Sequence, residues 1–118
     1  MLHATKDFTF EEFKCKCGTC GGGVMNAAFM QKLQALRDAY GKPMVPSSGF
    51  RCSAHNRKEG GSVTSMHLQG RAADIFCEDG PDKFEFIMLA AAAGFNGIGV
   101  AKTYVHVDDR ETQTFWTY

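Results

Sequence analysis

The sequence predicts an α+β domain, a small antiparallel sheet with helices packed on one face, and three observations predict it. Two stretches, one opened by Asn26 and one by Asp79, carry apolar residues at helical spacing. Arg71 to Cys77 alternates in strand fashion. Gly97 to Ala101, Tyr104 to Asp108 and Thr114 to Tyr118 are short β-prone runs separated by polar residues. The 118 residues suffice for one core and not for a second. Residues 1–118 are therefore expected to form a single domain, with residues 1–25 as an N-terminal clasp that carries a cysteine-rich loop.

Taken in order, Asp7 to Phe13 reads as a short helical turn introduced by a threonine or aspartate cap, its phenylalanines turned into the core. The glycines of Cys15 to Gly23 disfavour helix and strand alike and make that stretch a loop. Asn26 is a good N-cap, and Phe29, Leu33, Leu36 and Tyr40 fall on one stripe before Gly41 and Pro43 end the first core helix. Met44 to Ser47 is extended, and Ser48 to Thr64 reads as a long polar loop, which in a small domain is usually functional. In the next strand Ala72, Asp74 and Phe76 face one way, and Ala73, Ile75 and Cys77 the other. Asp79-Gly80-Pro81 starts a second helix, with Phe84, Ile87, Met88 and Ala91 as its apolar face and Gly94 as its end.

Composition narrows the partners. Thirteen basic residues balance thirteen acidic ones, so no global field recruits nucleic acid or an anionic membrane surface. No apolar run approaches the roughly 20 residues that span a bilayer, and Met1 to Phe10 does not resemble a signal peptide, so synthesis in a cytoplasm is expected. Five cysteines without a secretory signal favour thiols or metal ligands over a disulfide framework.

The stretch Ser65-Met66-His67-Leu68-Gln69-Gly70-Arg71-Ala72-Ala73-Asp74 sets a loop histidine seven positions before a strand aspartate, with Gly70 as the turn between them. In Tyr104-Val105-His106-Val107-Asp108 the valines enter the core, while Tyr104, His106 and Asp108 share the opposite face. His67, Asp74 and His106 are thus candidates for a three-ligand zinc (Zn2+) site. Catalytic zinc uses such a set, keeping a fourth position for a water that it activates to attack an amide carbonyl.

Ser48-Gly49-Phe50-Arg51-Cys52, His55-Asn56, Gly60-Gly61, the Ser65 to Asp74 stretch and His106-Val107-Asp108 come in an order that resembles the zinc D-alanyl-D-alanine carboxypeptidase family, which includes phage endolysins of the L-alanyl-D-glutamate peptidase type. The resemblance runs from about Phe8 to Asp109. It implies a Hedgehog-like α+β fold, His67, Asp74 and His106 as the zinc ligands, and Arg51 as a residue that binds a substrate carboxylate. A guanidinium fork suits that task, and an ordinary salt bridge is the alternative for Arg51. Ser65 either orients the ligand loop, hydrogen-bonds substrate, or is a turn serine. Better-known members of the family carry an acid three positions before the last zinc histidine, where this chain has Thr103. Asp108 is the expected substitute as general base, with a supporting role behind a ligand as its alternative. Tyr104 is expected to stabilise the oxyanion.

Cys15, Cys17 and Cys20, joined by Cys52 or Cys77, are candidates for a second, structural metal site, with reduced thiols and a disulfide as alternatives. The reading as a whole is a zinc metallopeptidase that cuts inside peptidoglycan stem peptides, acting as a monomer on the cell wall after phage-mediated release or as a virion component. The alternatives are a carboxypeptidase of the same fold and a catalytically idle zinc-binding, wall-recognition module.

Overall fold

The computed structural model describes residues 2–118; Met1, the first residue of the expected clasp, lies outside the described residues. Asn26 accepts a hydrogen bond from the Phe29 amide at 2.8 Å and opens helix α1 (Ala27–Tyr40), which Gly41 closes. Phe29, Leu33 and Leu36 are buried as their stripe predicts, and Tyr40 packs edge-on against Phe86. Ahead of α1, Thr9 and Glu12 bond reciprocally around the 3-10 turn Glu11–Phe13 in a capping box. Phe8 and Phe13 are buried there, but Phe10 is exposed, contrary to the expectation for all three rings.

Strand β1 (Pro46–Ser48) follows, and the expected polar loop after it contains a short helix, α2 (Ser53–Lys58), capped by Cys52. A 3-10 turn (Met66–Gln69) leads into β2 (Ala72–Phe76). Helix α3 (Gly80–Ala92) starts on the Asp79 cap with Pro81 in its first turn, and β3 (Gly97–Val100), β4 (Tyr104–Asp108) and β5 (Thr114–Thr117) complete the chain.

The five strands lie in the order β1-β2-β4-β3-β5. All neighbours are antiparallel except β3 and β5, which run parallel and make the sheet mixed at that edge. Ala73, Ile75, Ile98, Val105 and Val107 on one face join Phe29, Leu33, Phe86 and Phe95 in the core. Helix α3 buries Phe86 and Ala90 and leaves Phe84 and Met88 exposed, so its buried face is not the one its spacing suggested. The helix is apolar on several sides from Phe84 to Ala93, so its spacing alone does not single out the docking face.

The opposite face of the sheet carries the polar residues. Register aligns Ser48, Asp74, His106, Gly99 and Trp116 in one row across the five strands. Because side chains alternate with a period of two, this pairing sends all of that row to one side.

Candidate metal centre

His67 reaches the row from outside the sheet. Its 3-10 turn begins at Ser65, whose hydroxyl accepts from the His67 amide at 3.2 Å, and ends at Gly70. Gly70 has φ +66°, and a Cβ there would strike the Val24 carbonyl, so glycine is required where the chain turns into β2. His67, Asp74 and His106 are all buried, and one ligand atom from each lies within 4.8 Å of the others.

The outer nitrogens define which inner atoms are free. His67 Nδ1 lies 2.7 Å from the Gly49 carbonyl, to which it can only donate, so Nε2 keeps its lone pair and faces Asp74 Oδ1 at 3.4 Å. His106 Nε2 lies 2.7 Å from Asp108 Oδ2, and Nδ1 lies 2.9 Å from Asp74 Oδ1. Donors bound to one tetrahedral zinc at about 2.0–2.2 Å sit about 3.3 Å apart. The triad therefore fits such an ion, through His67 Nε2, Asp74 Oδ1 and His106 Nδ1, with a carbonyl and a carboxylate orienting the two rings. Burial works against charge on Asp74, but the neighbouring His106 and His67 imidazoles outweigh it and hold the carboxyl well below its usual range. Burial likewise opposes charge on His106, and Asp108 and Asp74 together raise its pKa nonetheless.

Asp108 does not occupy the position expected of a general base. It is fully buried behind His106, where it also accepts from Arg110 Nε at 2.8 Å and Arg110 Nη2 at 2.7 Å. The alternation that put Asp108 on the same face as His106 holds, but His106 turns its outer nitrogen toward it. Burial opposes the charge on Asp108 as well, and the Arg110 and His106 hydrogen bonds win and depress its pKa. A Cβ on Gly97 would collide with this carboxylate, so a bare β3 backbone makes room for it. Thr103 is exposed, in the turn before β4.

Above the triad lies a cleft of about 480 Å³ lined by Arg51, Glu59, Ser65, Tyr104, Trp116 and Tyr118 among others. Arg51 bonds Ser48 Oγ at 3.1 Å and pairs with Asp74 Oδ2 at 3.3 Å, so its salt-bridge alternative is present while the residue also faces the cleft. Tyr104 is half-buried beside Tyr118, and burial first, then the neighbouring Tyr118 and Asp74, push its phenol up to about 12. Trp116 rests 5.1 Å from the His106 ring, and the Arg110 guanidinium sits 4.7 Å over the indole. Asn56 is buried, donating to the Ser62 carbonyl to pin the glycine loop at the cleft edge, and His55 lies 3.5 Å from Glu59.

Sequence reasoning did not single out Glu59, Arg110, Trp116 or Tyr118. The last two had a signal, because alternation in Thr114 to Tyr118 puts Thr114, Trp116 and Tyr118 on one face. Cys15, Cys17 and Cys20 lie together with Cys52, not with Cys77, which is buried at the end of β2.

Comparison with known proteins identifies the family. A family model described as peptidase M15 matches residues 6–108. The zinc D-Ala-D-Ala carboxypeptidase of Streptomyces albus G is 37% identical over 100 residues, an alignment covering 77% of this chain and 38% of that relative. The chain thus spans well under half the length of the relative it matches. Since the match covers residues 6–108, most of the chain including His67, Asp74 and His106, the chain belongs to the peptidase M15 family.

Proposed function

We propose that the chain is a zinc peptidase that hydrolyses peptide bonds in the stem peptides of bacterial peptidoglycan. The observation that carries this reading is the convergence of His67 Nε2, Asp74 Oδ1 and His106 Nδ1 at the floor of an open cleft, each ring held by its other nitrogen. Three protein ligands are the donor count of catalytic zinc, whereas structural zinc is closed by four. Zinc bound there supplies a Lewis acid that polarises the scissile carbonyl and lowers the pKa of water.

The surrounding side chains divide the remaining work. Arg51 offers the part of its guanidinium not engaged by Ser48 and Asp74 to a substrate carboxylate. Tyr104 donates its O–H to the developing oxyanion. Ser65 keeps the His67 turn in place. Among the described residues Asp74 and Glu59 are the two acidic side chains that line the cleft, and Asp74 is committed to the metal, so Glu59 takes the proton from the attacking water. On this reading Glu59→Gln lowers kcat at least about tenfold and leaves zinc content unchanged; full activity in that variant would remove Glu59 from the mechanism.

Cleavage inside the stem, in the manner of an endolysin, is the first form of the proposal. Removal of a terminal D-alanine is the second, favoured by the activity in the relative's name and by Arg51 beside the triad. Purified peptidoglycan and defined muropeptides, digested with wild type and His106→Ala and read by mass spectrometry, separate the two. Internal products mean an endopeptidase, free D-alanine means a carboxypeptidase, and zinc retained without any product means an idle binding module. A place in phage lysis or in the virion belongs to the same proposal and is tested by searching purified particles for the chain.

A further inference from the structure

The peptidase reading leaves the cysteine-rich loop unused. Cys15, Cys17, Cys20 and Cys52 come from two separated segments, yet one sulfur from each lies within 4.8 Å of the others. Cys52 Sγ and Cys17 Sγ are 3.8 Å apart, which matches the spacing of about 3.8 Å between two thiolates bound to one tetrahedral zinc at about 2.3 Å. The sulfurs surround one point instead of joining in pairs, and all are free thiols.

The backbone is turned toward them. The Cys52 amide donates to Cys15 Sγ at 3.3 Å, the Thr19 amide to Cys17 Sγ at 3.4 Å, and the His55 amide to Cys52 Sγ at 3.5 Å. Such N–H donors stabilise sulfur as thiolate, the form that ligates metal. Cys17-Gly18-Thr19-Cys20-Gly21 supplies a C-x-x-C pair, and a Cys15 amide bond to the Gly22 carbonyl at 2.7 Å closes the loop around it.

We propose that Cys15, Cys17, Cys20 and Cys52 hold a second zinc ion in a closed tetrathiolate site with a structural role. Four sulfurs fill a tetrahedral shell and leave no position for water, unlike the triad in the cleft. Binding displaces the four thiol protons to solvent and ties the N-terminal loop to the start of α2. That point is next to Arg51 and three residues from Gly49, whose carbonyl orients His67. The ion therefore clamps the N-terminal clasp onto the segment that shapes the metal centre.

The test counts metal on the intact chain purified under reducing conditions. Wild type is expected to carry two zinc ions, and the His67→Ala/His106→Ala variant one, which a thiol-specific mercurial releases. Cobalt(II) loaded into that variant is expected to give the near-ultraviolet sulfur-to-metal charge transfer and intense visible bands of tetrahedral thiolate. Cys17→Ser/Cys20→Ser is expected to lose one zinc and keep the other; if it does not fold, the cobalt spectrum of the triad variant decides the matter. A triad variant that binds no metal while its thiols all react freely, or an intact mass showing disulfides, overturns the proposal. Failure to hydrolyse cell wall, with the mercurial-sensitive zinc present, counts against the peptidase reading alone.

Discussion

Asp108 touches the candidate metal centre only through His106. Its carboxylate accepts from His106 Nε2 at 2.7 Å and from three Arg110 nitrogens, the backbone amide, Nε and Nη2, and no part of its side chain is exposed. Asp108→Asn keeps the shape and an acceptor but removes the charge that fixes the ring and neutralises Arg110. We expect zinc affinity, measured by chelator competition, to fall about 10–100-fold. Stability to urea should drop by about 3 kcal/mol, the low end for losing one partner of a buried pair, because Arg110 remains 32% exposed. If affinity is unchanged and only turnover is lost, Asp108 takes part in proton transfer after all.

At the scale of elements, α3 and β3 show how packing places the site. Phe86 is fully buried whereas Phe84 is 70% exposed. Phe86→Ala should therefore cost about 3–5 kcal/mol of stability in denaturant titration, and Phe84→Ala no more than about 0.5 kcal/mol. Equal costs would mean that α3 docks by another face. In β3, a Cβ on Gly99 would lie 2.5 Å from the Trp116 indole. Gly99→Ala should cost about 1–3 kcal/mol and shift the emission of Trp116; an unaltered spectrum would mean that β5 has room to move.

For the whole molecule, the thiol-lined and histidine-lined clusters draw on different stretches of the chain and report differently. Trp116 is the chain's one tryptophan and packs on His106, far along the sequence from the cysteine loop. Chelation of wild type should change tryptophan fluorescence, and the same treatment of His67→Ala/His106→Ala should not. A response in both proteins would place the sensed ion elsewhere. The molecule has no helix long and apolar enough to cross a membrane among the described residues.

Much of this arrangement was legible along the chain. Caps at Asn26 and Asp79, the stripe Phe29-Leu33-Leu36 and the alternation in Ala72 to Phe76 and Tyr104 to Asp108 depend on near neighbours, so the sequence by itself determined the α+β class and which strand residues share a face. Those periodicities also put His106 on one face of its strand with Tyr104 and Asp108, and Asp74 on one face of its own with Ala72. Only the tertiary structure decided that Asp74 stands directly opposite His106, that Asp108 backs the ring instead of entering the cleft, and that β5 joins β3 in parallel. It alone chose the buried side of α3 and set Cys52, not Cys77, beside the cysteine loop. The physical reason is that register, docking face and loop closure are set by contacts between residues distant in sequence, and local periodicity carries no information about which distant partner a face will meet.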